Sequence, residues 1–561
     1  MALRSAVPLV ALLCLVVALA RAEDTKPPEN PDLTAANQLF QSGKFGEAIP
    51  RYQQALQVDP KLVPAQAGLV RAYLRDEQVD KAFDLATTFL AAQPNSAVLL
   101  AAMGQVQYRR GEIAESEASF LHAIKADPNL PQAYLGLARI YRLALYYRRA
   151  YDQVVRAHEI APQDPAVQRA WMATQPRPER MKALEAYLAA PHPDDAEETA
   201  ALRHWLEYLK ATADQPVHSC KLTGEVEKTE SKMEVMLRDA KHVEGYGLMV
   251  KINDHNQRLL LDTGASGILI NRRAAEKAGL KRISTVQFSG IGEKGERDAY
   301  LALADQIRVG ELEFKDCVVL VSEKSMGLDE DGLIGADVFS HYIVDIDMPS
   351  GMLRLTPLPK RPGETAVKTS LASEEGPEPD NEEQEESARP ASEEKSAADK
   401  STASVPPVRL PKDRYTAPEM ANWARVYRIG HQLLIPTRVN DSKAMLFILD
   451  TGAFSNLLST QTARSVTRVD SNDMVKVKGL SGEVNRTFNA DKAMFHFANV
   501  NEPNQNVVTI DLSNISRSVG VEVSGFLGFL TFRQLEVKID YRDGLVEFTY
   551  DPNKIAPALR R

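Results

Sequence analysis

The chain has 561 residues, of which 44% are hydrophobic and 25% charged. That length suggests about three or four domains, and the balance excludes collagen-like, coiled-coil and multi-span membrane chains. The formal net charge of −9 is concentrated in residues 363–400, where twelve Asp/Glu meet four Lys/Arg; without a basic surplus or basic block, no nucleic-acid partner is expected.

Residues 1–22 open the chain with one early cation, Arg4, an apolar run over 6–20 and then Ala20-Arg21-Ala22. This reads as a secretory signal cleaved before Glu23, which implies a secreted or periplasmic protein. The other reading is an uncleaved anchor, but the run is shorter than the roughly 20 residues a span needs. Cys14 would leave with the signal. Cys220 and Cys317 then remain in an oxidising setting, where one disulfide or two separately buried thiols both fit. No metal site is expected, because two cysteines without a His cluster are too few for zinc.

Pro60, Pro94, Pro128 and Pro162 stand 34 residues apart, and the positions around them repeat in phase. Ala48, Ala82, Ser116 and Ala150 share one register, Ala55, Ala123 and Ala157 another, and Gly43 and Gly111 a turn register. Small residues let paired helices approach closely, and a proline without an N–H ends each second helix. Over residues 31–165 this resembles the tetratricopeptide repeat. The resemblance implies a concave groove for a protein partner or peptide; a packing surface for the rest of the chain is the alternative. Amphipathic segments at 178–190 and 195–212 are expected to cap the stack, within a helical cap and connector over 166–243.

From residue 244 the texture changes to short β-runs. Leu259-Leu260-Leu261-Asp262-Thr263-Gly264-Ala265 follows a strand and turn, and Leu446-Phe447-Ile448-Leu449-Asp450-Thr451-Gly452-Ala453 repeats the plan. Downstream, Leu333-Ile334-Gly335 matches Phe526-Leu527-Gly528, each followed twelve residues later by an aspartate, Asp347 or Asp540. One Asp-Thr-Gly alone would be an ordinary turn. Two, each on an apolar strand and each paired with an apolar-apolar-Gly run, resemble the aspartic peptidases in their retropepsin-like form, over 244–359 and 427–552.

That resemblance implies two all-β lobes and a hydrolase acting on peptide bonds, an aspartic endopeptidase that needs no cofactor. Asp262 and Asp450 would be the catalytic pair, since two adjacent carboxylates cannot both ionise and so supply a base and an acid together. Thr263 and Thr451 would brace the loops, Gly264 and Gly452 would allow tight turns, and Ala265 and Ala453 complete the supporting loops. Glycine-rich stretches containing Gly290, Ile291 and Gly292 in the first lobe, and Gly479, Ser481 and Gly482 in the second, are candidates for a substrate-covering flap. The second lobe departs from the first in carrying Phe454 for Ser266, and Phe529-Leu530 where the first has Ala336-Asp337. Its competence, or the shape of its pocket, is therefore expected to differ.

Residues 360–412 are rich in Glu, Ser, Ala and Pro and are expected to form a disordered acidic linker. The whole reads as a multidomain α + β chain: a helical repeat solenoid, then two retropepsin-like lobes joined by that linker. The favoured function is an exported endopeptidase using an Asp262/Asp450 dyad, with the repeats recruiting a substrate or partner. A homodimeric protease using Asp262 alone, or a non-catalytic peptide-binding scaffold of the cell envelope, are the rivals. His255 and His341 offer no competing nucleophile chemistry.

Overall fold

The computed structural model describes residues 30–192, 194–211, 213, 220–224, 226–239, 242–288, 297–323, 331–362, 412–471, 477–479, 482–484 and 486–554. The expected signal over 1–22, nearly all of the linker, and Gly290, Ile291, Gly292 and Ser481 lie outside the described residues.

Four antiparallel helix pairs open the fold: Pro31–Gln41 with Phe45–Val58, Val63–Arg75 with Val79–Ala92, Ala97–Arg109 with Ile113–Ala126, and Pro131–Leu143 with Tyr147–Ile160. The phased prolines stand just beyond the second helix of each pair. Close approach is enforced by glycine: a Cβ on Gly104 would stand 2.8 Å from the Phe120 ring. Gly43, Glu77, Gly111 and Leu145, again 34 apart, all adopt left-handed φ of 58–73° at the turn between paired helices. Leu145 departs from glycine there at a conformational cost of roughly 1 kcal/mol. Its fully buried side chain offsets this, being worth about 1.5–3 kcal/mol.

These turns form an edge that meets the β region. Glu522 donates its N–H to the Arg109 carbonyl (2.8 Å), and Arg414 donates its own to the Leu145 carbonyl (2.9 Å). One apolar cluster joins Leu100, Ile113, Phe120 and Leu137 of the helices to Leu446, Ile448, Leu457 and Phe526 of the second lobe. The helical stack is thus a packing partner of that lobe.

Helices Pro165–Met172, Arg177–Ala189 and Ala196–Ala211 continue the stack. The segment before the last of them turns back toward its beginning. The Asp194 carbonyl lies against Gly43, buried Asp194 pairs with Arg169, and Glu198 pairs with Arg75. The 166–243 segment, expected to be a helical cap and connector, is not helical throughout. From Lys221 it supplies strands Lys221–Thr223, Thr229–Lys232 and Glu234–Asp239 to the sheets that follow. The first two are short and polar and pair with strands distant in sequence, so no local signal marks them, whereas Glu234–Asp239 forms a hairpin with the adjacent His242–Ile252.

Three sheets organise the rest. The first lobe is a nine-stranded sheet containing His242–Ile252, His255–Asp262, Ile268–Asn271 and Gly332–Gly335. The second is an eight-stranded sheet containing Gln432–Val439, Met445–Leu449, Leu457–Ser459 and Gly525–Leu527. Between them a six-stranded sheet is built from both lobes, with Tyr342–Asp347 antiparallel to Leu535–Asp540 in the register Asp345↔Lys538. Its apolar face, including Val344, Ile346, Val537, Ile539 and Phe548, belongs to one core that runs through both lobes. Hydrophobic burial therefore ties the lobes of a single chain to each other.

Candidate active site

Each Asp-Thr-Gly ends an apolar strand that is buried from both sides. His255–Asp262 runs parallel to Gly332–Gly335, setting Asp262 beside Gly335. Met445–Leu449 runs parallel to Gly525–Leu527 in the same way. Continuous apolar runs are what a strand covered on two faces requires. They carry the polar loop out at their end.

The two loops meet. Thr263 N–H donates to Thr451 Oγ1 and Thr451 N–H to Thr263 Oγ1, both at 3.0 Å. Each hydroxyl in turn donates across to the opposite strand, Thr263 to the Leu449 carbonyl (2.9 Å) and Thr451 to the Leu261 carbonyl (3.0 Å). Both threonines are buried, so all four groups would be costly to leave unpaired. Each glycine faces the other loop's carboxyl: a Cβ on Gly264 would stand 2.7 Å from Asp450 Cγ, and one on Gly452 2.5 Å from Asp262 Cγ. Only a residue without a side chain fits there.

Asp262 accepts from Gly264 N–H at 2.7 Å and Asp450 from Ala453 N–H at 2.8 Å, both through Oδ1. The two carboxyls hydrogen-bond each other. Burial raises the pKa of Asp262, opposed by the Gly264 N–H. Asp450 is pushed well above the usual carboxylate range by burial and then by the charge of Asp262. The pair shares its protons and titrates as a unit. A water held between them would meet a base and an acid at once.

Behind the loops the lobes differ. In the first, Asp337 accepts from Gly267 N–H (3.0 Å) and Ser266 Oγ (3.1 Å). In the second, Phe529 and Leu530 open a helical turn whose N–H groups reach the carbonyls of Ala453 and Phe454, while buried Asn456 accepts from Gly528 N–H (2.8 Å) and Thr531 Oγ1 (2.7 Å). The apolar Phe529-Leu530 pair is thus compensated by an amide one lobe carries and the other does not. The sequence reading passed over Asp337's bracing role, Asn456 and His431. His431 comes from the second lobe and its Nε2 lies 3.0 Å from the Gly264 carbonyl.

Gly479 and Gly482 face each other in the hairpin Val477–Gly479/Gly482–Val484. Val477 and Val484 of that hairpin pack on the cluster shared by the second lobe and the helices. Cys220 and Cys317 are disulfide-bonded, fastening strand Lys221–Thr223 to Leu312–Ser322. Among the described residues no group of three or more His, Cys, Asp or Glu side chains could hold a metal.

With this geometry in view, the family model described as aspartyl protease matches residues 248–338, and a tetratricopeptide repeat model matches residues 39–106. The chain therefore carries an aspartyl protease domain behind N-terminal tetratricopeptide repeats. The UBA domain-containing protein Mud1 of Schizosaccharomyces pombe (strain 972 / ATCC 24843) is 30% identical over 108 residues, which are 19% of this chain and 31% of Mud1. The chain thus spans about a third of the length of that curated relative. Among solved structures, a thermophilic TPR protein of Thermus thermophilus is 18% identical, covers 32% of this chain and 97% of its own, and has a TM-score of 0.27. A tetratricopeptide repeat protein from Parabacteroides merdae ATCC 43184 is 16% identical, covers 34% and 77%, and has a TM-score of 0.24.

Proposed function

We propose that the chain is an exported aspartic endopeptidase whose catalytic residues are Asp262 and Asp450 of one chain. The observation that carries this is the reciprocal nesting of the two loops, each carboxyl against the other loop's glycine, locked by the crossed threonine hydrogen bonds. An ionised carboxylate takes a proton from water, whose oxygen attacks the peptide carbonyl carbon. The protonated partner gives its proton to the carbonyl oxygen, forming a gem-diol. Collapse breaks the C–N bond as a carboxyl protonates the leaving nitrogen. Pairing within one chain argues against a homodimer built on Asp262 alone, because Asp450 already occupies the place a second Asp262 would take.

Export is supported by the signal-like residues 1–22 and by the Cys220–Cys317 disulfide, which suits an oxidising compartment. Among the described residues no helix is long and apolar enough to cross a membrane. For the repeats we propose a protein partner, since a tetratricopeptide repeat model matches residues 39–106. The test is cleavage of a denatured protein mixture between pH 4 and 7 by wild type, Asp262→Asn and Asp450→Asn. Loss in both variants supports the shared dyad, and an inert but folded wild type would turn the assignment toward a binding module.

A further inference from the structure

We propose that His431 is a positioning residue, supplied by the second lobe, that fixes the first lobe's loop at Gly264 and so favours the ionised dyad. This rests on the peptidase reading above.

His431 follows Gly430, whose φ of 57° makes the tight turn between Tyr427–Ile429 and Gln432–Val439. Arg428 stiffens that turn by donating from Nε to the Gly430 carbonyl and from Nη1 to the Tyr541 carbonyl, both at 2.9 Å. The ring crosses to the other lobe and meets the Gly264 carbonyl at 3.0 Å. A carbonyl only accepts, so Nε2 carries the hydrogen, as in one neutral tautomer or in imidazolium. Gly264 is then gripped twice: His431 holds its C=O, and its N–H donates to Asp262 Oδ1. Its Cα meanwhile packs on Asp450. Any swing of this glycine would redirect a hydrogen bond that favours ionised Asp262.

Electrostatics point the same way. Two carboxyls, Asp262 and Asp337, both of the first lobe, are raised by burial, and in each the charge of His431 opposes that push. Arg428, on His431's own hairpin, acts on Asp337 as well. The pseudo-symmetry of the lobes is broken at this point. Gly247 pairs with Leu260 as Leu434 pairs with Ile448, so the position matching His431 in the first lobe is residue 244, where the sequence has no histidine.

The test compares full-length wild type, His431→Gln and His431→Ala, with thermal melts to verify folding. Glutamine can still donate to Gly264 but carries no charge. Both limbs of its kcat/KM–pH profile should move up by about 0.5–1 pH unit while kcat at the optimum stays within about threefold. Alanine loses the grip as well, and its kcat should fall on the order of tenfold or more with KM little changed. A 13Cγ-aspartate NMR titration, assigned by subtraction with Asp262→Asn and Asp450→Asn, reads the dyad without turnover. An inert wild type would therefore sink the peptidase reading while the titration still decides the role of His431. An upward shift of the dyad in His431→Gln supports the proposal. Superimposable titrations and profiles, with kcat unchanged in His431→Ala, would overturn it.

Discussion

The two lobes carry the same strand–loop–strand plan, yet each is held in place differently. The first is tied by the Cys220–Cys317 disulfide and by Asp337 behind its loop. The second leans on the helical stack through Leu446, Ile448 and Phe526, and uses Asn456 behind its loop. The paired aspartates and their threonine braces occupy matching positions, whereas the N–H that each carboxyl accepts from, and the side chain braced behind each loop, differ. A duplicated site tolerates divergence in its surroundings as long as the loop contacts that cross the pseudo-twofold are kept.

The largest effect should come from breaking the symmetric part. Asp262→Asn and Asp450→Asn should each lower kcat by about 10³-fold or more, because neither carboxyl can be base and acid alone. A loss confined to one variant would mean the lobes are unequal in chemistry as well as in support. Gly264→Ala and Gly452→Ala place a methyl against the opposing carboxyl, and each should cost on the order of 10² in kcat through misplaced oxygens. Steady-state kinetics on variants with native circular dichroism would check this.

Thr451→Val removes the hydroxyl that serves both Thr263 N–H and the Leu261 carbonyl. Denaturant unfolding should show a loss of about 1–3 kcal/mol, and Thr451→Ser should recover most of it. Thr263→Val should match it closely if the brace is truly symmetric.

The smallest effect sharpens the contrast between lobes. Asp347 and Asp540 occupy matching turns, each accepting from the N–H three residues on, Ser350 or Asp543. Burial opposes the Asp347 charge, but hydrogen bonds from Ser350 and Arg354 and the charge of Lys554 hold its pKa below the usual value. Burial and then the charge of Asp543 raise Asp540 to about 6. The signs therefore differ. Asp347's contribution is present above the ordinary carboxylate value of about 3.9 and is lost as pH falls through its lowered one. Asp540's is full below about 3.9 and is lost as pH rises through about 6. Asp540→Asn should flatten the decline of Tm between pH 4 and 7, and Asp347→Asn should flatten the decline at the acid end.

Much of this was legible in the sequence because it is local. The 34-residue proline phase marks helix ends, and apolar strands leading into Asp-Thr-Gly-Ala mark the loops, so the α + β order and both aspartates could be read directly. What could not be read depends on contacts between distant segments. Glu77 and Leu145 fall in phase with the turn glycines Gly43 and Gly111, but their residue types do not announce a left-handed turn; burial of Leu145 and the ion pairs of Glu77 with Arg109 and Arg517 are made by residues outside the turn. Lys221–Thr223 and Thr229–Lys232 are strands only because Leu312–Ser322 and Met352–Pro357 lie beside them. The segment around Asp194 returns to Gly43 across some 150 residues, and no periodicity reports it. His431 could have been noticed as the residue after a glycine turn at the mouth of the second lobe's first long strand. Its partner, the carbonyl of Gly264, is 167 residues away.

The most direct test of the central claim, one site made by two carboxyls of one chain, is a mixing experiment. Asp262→Asn and Asp450→Asn chains are purified separately, unfolded together, refolded and assayed beside refolded wild type. Pairing within the chain leaves every molecule with one carboxyl, so the mixture should stay as inactive as either variant. Recovery of about a quarter of the wild-type rate, as expected when exchange between two-site dimers restores one intact site in the mixed half of them, would show that the lobes pair between chains and would contradict the assignment.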